Sequence, residues 1–240
     1  MKTKENTFLS GIIDAIPIFL GYLSVSFAFG IFAVENSMSV LEALMISMTN
    51  VTSAGQLAAV PIIAGGGTLI ELAVTQLVIN LRYALMSVSL SQKLGKSVRM
   101  IDRFIIAFVN TDEVFAVASG KENNVERNYL YGLIIPPFVG WSLGTFIGAV
   151  AGNVLPEIVI SSLGIAIYGM FVAIVVPVAK KNKSTALCVL FAIILSCSFK
   201  YIPLLSAVPG GFVIIICAVV ASSVFAVISP LNVAKEKDYE

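Results

Sequence analysis

Histidine is absent from the 240 residues, and charge of either sign is scarce, with Asp, Glu, Lys and Arg together making 12% of the chain. A soluble domain carries about a quarter charged residues. Without histidine the chain lacks the commonest metal ligand and the side chain that titrates most readily near neutral pH. Cys188, Cys197 and Cys217 all fall in apolar runs, where they read as small core residues rather than as disulfide partners or metal ligands. No metal and no cofactor is expected. P-loop, GxSxG, CxxC and HExxH motifs are missing, so the chain has no ATP site of its own, and an enzyme reading rests on paired acids alone. The net charge of +1, with basic residues scattered through loops, argues against a nucleic-acid partner.

What is present in excess is apolar residues, at 58% of the chain with a mean hydropathy of +0.97. Ala15 to Val34, Ala43 to Ile70, Tyr129 to Pro156, Ile158 to Ala179 and Tyr201 to Ala234 contain no charged residue. About 20 apolar residues span a bilayer. The fold class is therefore all-α, a polytopic integral membrane protein with a single transmembrane domain over 1–240. The amino-terminal run is too long for a secretory signal, and no small-residue cleavage site closes it. Breakers divide the chain into segments at about 8–34, 40–64, 69–91, 104–119, 129–152, 158–179, 184–200 and 208–230.

Basic residues collect at Lys2 and Lys4, at Lys93, Lys96, Arg99 and Arg103, at Lys180, Lys181 and Lys183, and at Lys235 and Lys237. The positive-inside rule puts all four clusters, and both termini, in the cytoplasm. Three segments separate the first cluster from the second, and three more separate the second from the third, so one of each three should fail to cross. Segment 40–64 carries "TNVTSAGQ" at its centre, suited to two half-helices meeting at a break. Segment 104–119 is short and contains Asn110, Asp112 and Glu113. These are the expected broken or re-entrant elements, within about six to eight transmembrane helices. Eight simple crossings with one loop breaking the charge rule is the competing topology. "PIFLGYLSVSFAFG" from Pro17 and "PPFVGWSLGTFIG" from Pro136 echo one another, suggesting repeats over 8–119 and 129–230. Chance likeness between two Gly- and Phe-rich helices explains the echo equally well.

Arg82 in "NLRYALMS" lies near the middle of its apolar segment, where an arginine costs at least about 2.5 to 3.5 kcal/mol on insertion scales. Two readings stand for it. It snorkels or pairs internally with Asp112 or Glu113, or it clamps an anionic group through its two-point fork. Asn80 points to a different side of the same helix. Asp112 and Glu113, adjacent acids in apolar surroundings, read either as a proton-exchanging pair or as acids in the first turn of a helix capped by Asn110 or Thr111. Around Gly55, a helix break would free N–H groups for a carboxylate and carbonyls for an ammonium group, with Asn50, Thr52, Ser53 and Gln56 beside it. Close helix packing through small residues is the alternative there. Gly21, Gly30, Gly140, Gly144 and Gly148 read as packing glycines. Phe19, Tyr22, Phe27 and Phe115 are candidates for an apolar pocket.

The succession "GYLSVSFAFG", "MTNVTSAGQLAAV", "NLRYALMSVSLSQKL" and "NTDEVFA" resembles the AzlC family, the large subunit of bacterial branched-chain amino acid exporters, over about residues 10–120 and more loosely to the carboxyl end. The resemblance implies efflux of leucine, isoleucine, valine and sometimes methionine across the cytoplasmic membrane of a bacterium, with a small AzlD-like membrane protein as partner. Joined to the reading of the residues, it implies substrate contacts from Arg82, Asn80, Gln56, Gly55, Ser53 and Tyr22, and proton exchange through Asp112 or Glu113. The family arginine is often followed by histidine where this chain has Tyr83, which weakens a proton-relay role at that position. A channel for small polar solutes is the alternative function.

Overall fold

The computed structural model describes residues 6–152, 182–203, 205 and 207–229, with isolated positions between 156 and 180. The described regular elements are helices: α1 (Phe8–Glu35), α2 (Val40–Thr49), α3 (Ser53–Ala64), α4 (Leu69–Ser91), α5 (Met100–Phe108), α6 (Asp112–Ser119), α7 (Arg127–Gly152), α8 (Lys183–Tyr201) and α9 (Gly210–Ile228). Of these, α1, α4, α7, α8 and α9 are long and apolar enough to cross a membrane. Apart from isolated positions, the expected segment 158–179 lies outside the described residues.

The frame of the molecule is α1 laid against α7, running the same way. Phe8 meets Gly132, Phe19 meets Gly140, Leu23 meets Gly144 and Phe27 meets Gly148, so the two helices climb in step. Glycines permit this because backbone touches backbone. A Cβ on Gly148 would stand 2.0 Å from the Phe27 carbonyl oxygen, and one on Gly132 would stand 2.1 Å from that of Phe8. Small residues at such contacts are what lets membrane helices approach closely, since lipid supplies no hydrophobic drive between them. Gly148→Val should therefore abolish the folded species, read as loss of the monodisperse peak in detergent chromatography. Gly21 is not a packing glycine, because nothing lies within 4 Å of where its Cβ would be. Gly21→Ala should leave that peak intact.

Against this frame lie two helix–break–helix hairpins. In the first, α2 is started by Ser39, whose hydroxyl accepts the Glu42 N–H while the Glu42 carboxylate accepts the Ser39 N–H at 2.8 Å. The helix stops at Asn50, Val51 and Thr52, whose side chains favour extended or turn backbone over helix, and α3 begins at Ser53. The second hairpin begins with α5, held by Asp102. This fully buried carboxylate accepts the Arg99 backbone N–H (2.9 Å), the Tyr131 hydroxyl (2.8 Å) and Arg127 Nε (3.0 Å). Val109, Asn110 and Thr111 interrupt it, and Thr111 caps α6 by accepting the Val114 N–H.

The hairpins enter from opposite ends of the bundle. Asn6 donates to the Asn124 carbonyl (3.1 Å), and Gly95 N–H donates to the Val125 carbonyl (2.8 Å). Arg127 N–H donates to Ser97 Oγ at 2.9 Å. The start of α1, the loop after α4 and the start of α7 thus share one end, and α5–α6 leaves and rejoins that end. The first hairpin belongs to the other end, where Met38, Ala43 and Val60 pack with Phe29, Ala33 and Ala149. The sequence expectation of broken segments at 40–64 and 104–119 is met, with the second one starting at Met100 rather than at residue 104. The competing topology of eight simple crossings does not fit these hairpins. Their tips meet at mid-height, where Val51 and Val109 are buried in one cluster with Tyr22, Val114 and Trp141. Non-helical backbone at membrane depth is tolerated only when buried in protein or lining a cavity, and both breaks satisfy this.

Candidate functional site

The meeting of the hairpin tips with α1, α4 and α7 leaves a cavity of about 560 Å3. Its polar wall is Thr52 and Ser53 from the first hairpin, Arg82 and Tyr83 from α4, and Thr111, Asp112 and Glu113 from the second. Its apolar wall is Pro17, Ile18, Val25, Val51, Ile79 and Trp141. Small-molecule sites of about 300–1,000 Å3 with mostly apolar linings and a few placed polar groups are the usual pattern.

Arg82 does not turn toward a bundle end. Its guanidinium meets Asp112 Oδ2 at 2.8 Å, donates to the Tyr83 hydroxyl at 3.1 Å, and lies 4.9 Å from the centre of the Tyr83 ring. Half of its side chain remains exposed. Five N–H donors are more than these partners use, so a further acceptor can be received. Glu113 is treated differently. It accepts the Tyr22 hydroxyl at 2.5 Å, and among the described residues no basic group pairs with it.

Two helix amino termini open on the cavity, with Ser53 and Ala54 at the start of α3 and Asp112 and Glu113 at the start of α6. They are not equivalent. The first turn of α6 carries two acids that already complement its dipole, whereas that of α3 carries none, and Thr52 makes no side-chain capping bond. The positive character of the cavity is therefore concentrated at Arg82 and the start of α3. Its negative character lies at Asp112 and Glu113.

The residues expected from sequence divide in three. Arg82, Ser53, Tyr22, Asp112 and Glu113 line this cavity. Asn80 faces a smaller neighbouring one. Gln56 and Gly55 are buried behind the wall. Gln56 accepts the Trp141 indole N–H at 2.7 Å and donates to Ser47 Oγ at 2.7 Å, and Ser47 shares a hydrogen bond of 2.6 Å with Thr145. Through this buried chain Gln56 holds Trp141, whose ring stands edge-on to Tyr22 with centroids 5.0 Å apart. Gln56→Leu would leave the buried indole N–H without an acceptor, a penalty of about 1–3 kcal/mol. The expected result is a lower thermal midpoint in detergent. The Gly55 carbonyl accepts Gln76 Nε2 at 2.8 Å, and a Cβ on Gly55 would stand 2.3 Å from Thr52 Oγ1.

Phe19, Phe27 and Phe115 do not line the cavity. The Phe19 ring is turned against Gly140, the backbone of Phe27 abuts Gly148, and Phe115 packs into the core. Sequence reasoning missed Trp141 and Gln76. A lone tryptophan mid-way along an apolar helix needs an acceptor for its N–H, and Gln76 lies one helical turn before Asn80, whose amide donates to it at 3.2 Å.

The sequence pattern of the AzlC protein family matches residues 17–155, a span holding both hairpins and every residue of the cavity wall named above. The chain belongs to the AzlC family. It is 30% identical over 195 residues to the inner membrane protein YgaZ of Escherichia coli (strain K12), an alignment covering 78% of this chain and 79% of YgaZ. An uncharacterized membrane protein of Archaeoglobus fulgidus is 30% identical over 177 residues, 73% of this chain and 77% of that one. A Helicobacter pylori (strain 26695) membrane protein is 26% identical over 161 residues, 61% of this chain and 66% of the relative. No solved structure matches. This AzlC chain is a multi-pass helical membrane protein.

Proposed function

We propose that the chain is a secondary transporter that exports the branched-chain amino acids leucine, isoleucine and valine, with unbranched methionine as a further substrate, across the cytoplasmic membrane in exchange for protons. The observation that carries the reading is the polarised cavity. A guanidinium paired with the Asp112 carboxylate, an uncapped helix amino terminus and a second carboxylate, Glu113, with which no basic side chain among the described residues pairs, line one cavity whose remaining wall is apolar. A zwitterion with an apolar side chain matches this pattern, its carboxylate toward Arg82 and the first turn of α3 and its ammonium toward Asp112 and Glu113. Tyr22 and Trp141 flank the apolar part. A carboxylate that receives the ammonium cannot hold a proton as well, and this exclusion is what exchange requires. Glu113 takes that role, because Asp112 already neutralises Arg82. A small AzlD-like membrane subunit completes the complex, and both termini face the cytoplasm with the Lys93 cluster. The parallel course of α1 and α7 supports a build from repeats over 8–119 and 129–230.

Leucine counterflow in proteoliposomes holding the chain with its partner tests this. The expected flux saturates with leucine and responds to an imposed pH gradient. Flux that does neither would favour the pore reading. Cysteines introduced at Ser97 and Ser184 should label only from the cytoplasmic side, and labelling from outside would reverse the orientation.

A further inference from the structure

Beside the amino-acid cavity lies a second, smaller one of about 190 Å3, walled by the two hairpin breaks and α4. Its polar side chains are uncharged. Thr52 Oγ1, Asn80 Oδ1 and Asn110 Oδ1 are buried and have no hydrogen-bond partner among the described residues, and all three residues line this cavity. They come from three elements: the first break, α4 and the second break. Asn110 is only 2% exposed. The amide donors of the two asparagines are spent elsewhere, since Asn110 Nδ2 donates to Ser87 Oγ at 3.1 Å and Asn80 Nδ2 to Gln76 Oε1 at 3.2 Å. Buried polar atoms are almost always satisfied, so three orphans around one cavity call for a partner.

We propose that the smaller cavity is a sodium site. Two of the orphans are amide carbonyl oxygens that can only accept and the third is a hydroxyl oxygen that can, so a cation or a donor would satisfy all three. Two further features point to an ion. The carboxyl-terminal ends of both α2 and α5 abut the cavity, through Thr49 and Asn50 and through Ala107 and Phe108, and the dipole there is negative. Broken helices of membrane proteins use such ends and their freed carbonyls to hold monovalent cations. The absence of a carboxylate in the wall disfavours calcium and magnesium, whose sites use acidic oxygens. Among the described residues no cluster of three Cys, Asp or Glu offers a transition-metal site either. Val51, Thr52, Tyr83 and Thr111 wall both cavities, so an ion in the smaller one braces the wall of the larger.

The test is direct binding of radioactive sodium to the purified chain, together with its thermal midpoint in sodium chloride against choline chloride, whose methyl-shielded ammonium the oxygens cannot coordinate. Neither readout requires transport, so a chain that fails leucine counterflow can still pass, and the reverse. Saturable sodium binding and a sodium-dependent rise in midpoint are expected. Thr52→Val keeps the shape of the side chain and breaks no hydrogen bond present in the structure. It should weaken sodium binding at least ~10-fold, the loss seen even for outer-shell partners of metals, while Thr52→Ser restores it. Asn110→Asp, which adds a charge, should tighten binding. No saturable sodium binding in the native chain, leaving water as the partner of these oxygens, would overturn the proposal. So would unchanged affinity in Thr52→Val.

Discussion

Arg82→Lys should lower leucine counterflow by about 10- to 100-fold, the equivalent of roughly 1.5–3 kcal/mol for one charge-assisted hydrogen bond. The amount of folded protein should not change. Lysine keeps the charge and can still approach Asp112, so the membrane cost and the ion pair are largely preserved. What disappears is the planar fork that lets one side chain hold Asp112 and a travelling carboxylate together. The pair at 2.8 Å is also what a purely structural role for Arg82 would produce. Exchanging the two residues, Arg82→Asp with Asp112→Arg, separates the cases. If the pair only holds the second hairpin to α4, the swap restores transport. If Arg82 serves the substrate, the swap restores folding and leaves counterflow low, because the cation then sits on the side meant for ammonium.

Glu113→Gln should remove the response of flux to an imposed pH gradient while leucine-for-leucine exchange continues. Asp112→Asn should do the opposite, keeping the pH response and raising the leucine concentration needed for half-saturation. The contrast follows from their partners, a guanidinium for Asp112 and only the Tyr22 phenol for Glu113. A glutamine at position 113 can still accept the Tyr22 hydroxyl and accept from an ammonium group, but it cannot exchange a proton. Equal loss of pH response in both variants would mean that the pair titrates as a unit. An unaltered response in both would put the proton path elsewhere.

Much of the fold was legible because membrane helices write themselves in long apolar runs. The segment expected at 69–91 is the helix Leu69–Ser91, and that expected at 8–34 is Phe8–Glu35. The first break was legible in "TNVTSAGQ", whose polar side chains compete with helical backbone. The base of the second hairpin was not. Asp102 looks like a loop charge in sequence, and it becomes a buried anchor only through Arg127 and Tyr131, which lie a hairpin further along the chain. The charged end of the cavity was readable from Arg82, Asp112 and Glu113, since isolated charges in apolar runs demand partners. The apolar wall was not, because the rotation of α1 is set by glycine contacts with α7. Those contacts turn the Phe19 ring onto that helix and leave Ile18, Gly21, Tyr22 and Val25 facing the cavity. Gln56 was noticed as a polar residue near a break. That it serves Trp141 rather than the cavity depends on where α7 lies.

The central claim is that a carboxylate is held beside Arg82 in the cavity between the two hairpin tips. Competition for labelled leucine binding to the purified complex tests it most directly, with unlabelled leucine set against leucinamide, which has the same side chain and ammonium group but no carboxylate. The account predicts displacement by leucine and at least ~10-fold weaker displacement by leucinamide, since losing one charge-assisted hydrogen bond is worth that much. Equal displacement by the two compounds would contradict it.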